Sequence, residues 1–184
     1  MHEKGGGGKV SDDKTTETEW LERQSTPQYL KVEEAYKILV GESDRGAVLV
    51  GAALLDDLLK MALLHQFADR QCSRDLLIGR YAPLSDLGAK IDAAHALSVV
   101  DEVSFKDLHI VRKIRNKFAH TIALSFEDDS VSDQCKNLSG RLGPTNIGDL
   151  RNRDRFLTAT AVLSGVLSAF IWNISQEAPE GESD

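Results

Sequence analysis

Two cysteines, Cys72 and Cys135, are all that this chain carries, far apart and in no Cys-x-x-Cys pair. That excludes a disulfide-stapled scaffold and a cysteine-rich zinc module, and reduced thiols in a cytoplasmic protein are the expected state. No His, Cys and Asp cluster has metal-ligand spacing, and neither Gly-x-x-x-x-Gly-Lys-[Ser/Thr] nor Gly-x-Gly-x-x-Gly occurs, so no metal and no cofactor is expected. Met1-His2-Glu3-Lys4 leads into glycines and not into an apolar stretch, so no secretory signal is visible. Positive charge is also short: 22 Lys and Arg stand against 29 Asp and Glu, a net charge of -7. Sequence-independent coating of DNA, which draws its affinity from a basic surface, is thereby disfavoured. A local basic patch is not.

Alternating β-branched runs are scarce as well, whereas apolar residues recur at spacings of three and four. The chain of 184 residues, 41% of them hydrophobic, therefore reads as an all-α, single-domain multi-helix bundle. Residues 1–24 are polar and glycine-rich and residues 176–184 acidic; both are expected to be disordered, around a helical domain over 25–175. Thr26-Pro27 is a good start for a helix to about Val40, closed by Gly41. The next helix, Asp44 to about Phe67, is apolar around most of its circumference, with Asp56, Asp57 and Lys60 as a narrow polar strip. Such a helix is either central or half of a subunit interface, and a homodimer is the expectation. Further helices are predicted over about Ser73–Ile78, Asp86–Leu97, Phe105–His120 and Asp149–Ile174, with a loop over 125–148. From Phe156 to Gln176 the last helix bears no charge. Its length would permit a membrane span, but Thr158, Thr160, Ser164, Ser168 and Asn173 dilute it, and a buried bundle helix with no membrane contact is expected.

The richest stretch is residues 112–120, Arg-Lys-Ile-Arg-Asn-Lys-Phe-Ala-His. Ser104-x-x-Asp107 resembles a capping box that would open its helix. At 100° per residue, Leu108, Ile110, Val111, Ile114 and Phe118 share one arc; Lys106, His109, Arg112, Lys113, Asn116, Lys117 and His120 share the other. Lys106, Arg112, Lys113 and Lys117 are the candidate binding face, for a protein partner or nucleic acid. Arg115 projects between Val111 and Leu108, inside the apolar arc. A guanidinium there needs a partner, and Asp56 or Asp57 is the candidate for a structural ion pair; the alternative is a cleft or dimer seam where Arg115 meets phosphate. Asn116 and His120, four apart, could touch one ligand, although a histidine in the last turn is also favoured there by the helix dipole.

Taken together, Arg45–Leu59, Ala82–Leu97, Asp107–His120, Ser125-Phe126 and Cys135–Leu138 resemble the mannitol operon repressor family of bacterial regulators. The resemblance implies an all-helical fold and a non-enzymatic role in transcriptional regulation, with no catalytic residues to carry over. Separately, the Arg-Asn-x-x-x-His element Arg115, Asn116 and His120 resembles the motif of HEPN domains, helical bundles that include ribonucleases and toxins. That resemblance implies metal-independent RNA cleavage across a dimer interface, with Arg115 on the phosphate and His120 as general acid or base. A helix-turn-helix over about Asp86–Leu97 and Phe105–His120 would need a shorter connection than Ser98–Ser104, and its outward face is mostly lysine, which suits phosphates more than base edges. Action through a partner protein is therefore expected over direct reading of DNA sequence.

Overall fold

Helix is the one regular element formed among the described residues of this computed structural model, which are 31–79, 81–139 and 150–177. Seven helices follow in order: α1 Val32–Val40, α2 Asp44–Gln66, α3 Gln71–Leu77, α4 Leu87–Ala96, α5 Glu102–His120, α6 Asp129–Lys136 and α7 Asn152–Glu177. Lys31 is extended and serves as the N-cap of α1, so no unbroken helix runs on from Thr26-Pro27, which itself lies outside the described residues. The 1–24 extension and most of the 176–184 tail also lie outside them. At the other end α7 continues past Ile174 through Glu177, into the first residues of the expected tail.

Local capping sets the boundaries. The Ser43 hydroxyl accepts from the Gly46 N–H to start α2, and the Asp86 carboxylate accepts from the Gly88 N–H at 2.8 Å to start α4, each answering an orphan donor of a first turn. The α4–α5 connection closes with Val99 N–H on Ala94 O and Ser98 N–H on His95 O, with Ser98 at φ 58°, the left-handed position that glycine usually fills.

α2 and α7 form the centre. α2 packs against α1, α3, α4, α5 and α7, and Ala47, Val48, Ala52, Leu55, Leu58, Leu59, Ala62 and Leu63 are buried along it. The apolar circumference that prompted a homodimer is thus covered largely within one chain, and the dimer loses that argument. Gly51 lets the two central helices approach: a Cβ there would lie 3.0 Å from Thr160 Cγ2. α7 is the one described helix long and apolar enough to cross a membrane; here Phe156, Leu157, Ala161, Leu167 and Ile171 are buried, and it packs against α1, α2, α5 and α6. Arg153 pins its start by donating to Asp44 at 2.7 Å and to the Val40 and Glu42 carbonyls. Phe118, Phe126 and Phe156 run as touching rings, with centroids 5.5 and 5.3 Å apart, from α5 to α7.

The loop expected over 125–148 holds α6. Asp128 precedes it and accepts from the Ser125 N–H and hydroxyl at 2.7 and 3.0 Å, while Val131 and Cys135, four apart, bury one face.

Candidate functional site on two faces of a basic helix

α5 is opened by Asp101, whose carboxylate accepts from the Ser104 N–H at 2.9 Å. The Ser104-x-x-Asp107 capping box is therefore corrected: Ser104 receives the cap three residues into the motif Asp101-x-x-Ser104, and the helix starts three residues before Phe105. Asp107 is buried and accepts from the Ser139 N–H and hydroxyl at 2.9 and 2.6 Å, fastening the segment after α6 to α5. Leu108, Val111, Ile114 and Phe118 are buried as the projection requires, with Ile110 half-buried.

α4 lies antiparallel beside the first half of α5, and the pairs between them run in opposite senses along the chain. His95 meets Glu102 at 3.3 Å, His109 meets Asp92 at 3.0 Å, and Arg112 meets Asp86 at 3.5 Å. Phe105 sits between the two imidazoles, stacked on His95 at 4.3 Å and edge-on to His109 at 4.6 Å. Lys106 pairs with Glu102 on its own helix at 2.9 Å. Pairing with α4 at this register makes an antiparallel hairpin, which does not present α5 as the free reading helix of a helix-turn-helix.

Where α4 begins, a cleft opens. Its volume is about 360 Å³. From α2 come Leu49, Ala52, Ala53 and Asp56; the turn into α4 adds Ser85, Asp86 and Leu87; α5 supplies Arg112, Arg115 and Asn116. The expected ion pair of Arg115 with Asp56 or Asp57 is absent. Both oxygens of Asp56 accept from Lys90 Nζ, at 2.7 and 2.8 Å, and the Ser85 carbonyl takes a further donor at 3.1 Å. Asp57 is exposed. Arg115 is exposed too, and its guanidinium donates to Asn116 Oδ1 at 3.1 Å. The projection fails at Arg115 because it treats the helix as packed alike along its length. Its level lies beyond the start of α4, so the side of the helix that buries Ser104 and Leu108 nearer its N-terminus faces the cleft here. Lys90, with a side chain 4% exposed, is the functional neighbour that sequence reasoning missed; its flanking Gly88, Ala89, Ile91, Ala93 and Ala94 were the signal that it sits on a packed face.

The other candidates divide. Asn116 lines the cleft with Arg115, but His120 does not; it is exposed in the last turn. Lys113 is exposed and Lys117 half-buried, and on the projection both stand with Lys106 and His120, away from Arg115. Among the described residues no carboxylate lies within 4.0 Å of Lys113, Arg115 or Lys117. Nor do the described residues hold any group of three or more potential metal ligands. Elsewhere, burial pushes the Cys135 thiol up to about 12, which makes it inert, and burial lowers His65 below its ordinary value.

No family model matches the sequence, and no curated protein matches it. Among solved structures the chain is similar to the MtlR chain in the X-ray structure of the MtlR–HPr complex from Escherichia coli. The TM-score is 0.54 at 19% identity, over 78% of this chain and 98% of that one. At that identity the likeness is one of fold, and it accords with the all-α bundle described above.

Proposed function

We propose that the chain is a non-enzymatic regulator of the mannitol-repressor type, acting in the cytoplasm by docking an acidic protein surface on the lysine face of α5. One observation carries the reading: Lys113 and Lys117 stand one turn apart with no carboxylate within 4.0 Å among the described residues, in a chain of net charge -7. Clustered like charge with no internal partner is electrostatically available to a complementary surface and speeds its association. The similar fold occurs in a complex with another protein, HPr, which supports a protein partner and makes HPr the first to test. No comparison lends the HEPN-like ribonuclease reading such support; within one copy Arg115 and Asn116 line the cleft and His120 does not.

The test is isothermal titration of the chain with HPr at low and high salt. Saturable binding that weakens with salt and disappears in the double variant Lys113→Glu/Lys117→Glu, with thermal unfolding unchanged, is the expected result. Absence of binding, or binding indifferent to the charge reversal, overturns the reading.

A further inference from the structure

The cleft beyond the start of α4 carries a positive charge that its own carboxylates leave unbalanced, and we propose that it binds a small organic anion, a carboxylate or a phosphate monoester, held by Arg115. This site lies on the other side of α5 from Lys113 and Lys117 and stands whether or not the partner reading does.

Each carboxylate in the lining already has a cation. Asp56 grips Lys90 with both oxygens, at 2.7 and 2.8 Å. Asp86 Oδ1 accepts from the Gly88 N–H at 2.8 Å and faces Arg112 Nη2 at 3.5 Å. The lining itself sets Arg112 and Arg115 against Asp56 and Asp86; with the buried Lys90 behind it already neutralising Asp56, three cations stand against two anions, and the excess belongs to Arg115, which has no carboxylate within 4.0 Å among the described residues. A second cation at the same wall would add to this excess; an anion removes it.

The donors have the geometry that a planar or tetrahedral anion needs. A guanidinium has five N–H donors and no acceptor. One Arg115 donor goes to Asn116 Oδ1 at 3.1 Å, which leaves a two-pronged edge for bidentate binding. Because arginine can only donate, the Asn116 atom facing it must be the carbonyl oxygen, and the Asn116 amide nitrogen is left with its own two donors. Asn116 thus orients Arg115 and offers a further donor to the same ligand. Arg112 is only loosely engaged: 3.5 Å to Asp86 is long beside the roughly 2.7–2.9 Å of a full charge-assisted bond. Gly88 makes room for it, since a Cβ there would come within 2.8 Å of Arg112 Nε.

Size and the remaining wall limit the ligand. A volume of about 360 Å³ is near the lower end of small-molecule sites and suits a compact metabolite-sized molecule. Leu49, Ala52 and Leu87 give it an apolar side against which a short carbon skeleton can lie. Arg115 is exposed, and among the described residues its one side-chain hydrogen bond is to its neighbour's amide.

The experiment uses the full chain labelled with nitrogen-15, titrated with inorganic phosphate, glycerol phosphate and succinate, with sodium chloride at matched ionic strength as the reference. Saturable shifts of the Arg115 Nε–H and Asn116 side-chain amide signals, exceeding those in chloride, are expected for at least one probe. Arg115→Gln should weaken that binding about tenfold or more, while Lys113→Glu/Lys117→Glu, away from the cleft, should leave it intact. A response to the phosphates alone or to succinate alone assigns the anion class. Linear shifts indistinguishable from chloride for every probe, or an Arg115→Gln chain that binds as well as the parent, overturn the proposal.

Discussion

Both halves of α5 carry basic side chains, and these meet different fates. In the first half every base has an acid: Lys106 has Glu102, His109 has Asp92 and Arg112 has Asp86. In the second half Lys113, Arg115 and Lys117 have none within 4.0 Å among the described residues. Lys106 finds its acid on α5 itself, and His109 and Arg112 find theirs at α4. α4 is ten residues long and its first turn lies against Arg112, so carboxylates line α5 only that far. A basic cluster becomes available for binding where the fold stops offering it partners, and here that point falls between Arg112 and Lys113.

The largest effect that bears on this contrast belongs to Lys90. Its ammonium is buried and holds Asp56 at the floor of the cleft. Removing it by Lys90→Ala leaves a carboxylate without its cation, and the loss is about 2–3 kcal/mol, below the 3–5 kcal/mol of a fully buried pair because Asp56 keeps some access to water. Arg115→Ala, one cleft wall away, should fall within about 0.5 kcal/mol of the parent. Urea unfolding midpoints measure both. Equal losses would break the distinction between a structural cation and an available one.

Next in size is the cap of α5. Asp101→Ala removes the acceptor of the Ser104 N–H and should cost about 1 kcal/mol. Ser104→Ala leaves that bond intact, so any loss it shows must come from packing of the buried side chain. Should Ser104→Ala cost as much as Asp101→Ala in thermal unfolding, the assignment of the cap to Asp101 fails. The first half of α5 should fray in Asp101→Ala, while the second half, anchored by Ile114 and Phe118 in the core, should not.

What was legible in the sequence follows from which features are local. α2 could be read from its long, nearly all-apolar run and α5 from apolar residues in phase, each with a polar cap close by. α6 could not be read in the same way: eight residues with few buried anchors give too short a period, no side chain caps its first turn, and the bond from Ser125 to Asp128 before it looks like any polar loop. The capping box was misplaced because Asp101-x-x-Ser104 and Ser104-x-x-Asp107 overlap, and only the tertiary bond from Ser139 shows that Asp107 is engaged elsewhere. Among the site residues, the side of α5 holding Lys106, Lys113 and Lys117 followed from the period alone. The partner of Asp56 did not, since choosing Lys90 over Arg115 depends on how far α4 extends, a tertiary fact.

The smallest effect is the most selective, because it acts on one half of α5 only. Glu102 is held below the usual carboxylate range, first by its hydrogen bond to Lys106, then by the charge of Lys106, with His95 adding to it. A carboxyl whose folded value is depressed contributes stability that is complete above its unfolded value, here 4.5, and is lost as pH falls through the folded value. Acidification should therefore loosen the start of α5, where Glu102 loses its charge, and leave the Lys113–Lys117 turn unmoved, since no carboxylate partners it. Backbone amide shifts followed from pH 6 downward should track the titration at 102–106 and stay flat at 113–117. Lys106→Ala should send the Glu102 midpoint back toward 4.5. A midpoint that ignores Lys106, or amides at 113–117 that move with it, would mean that the two halves are electrostatically joined, and the boundary drawn at Arg112 would have to be given up.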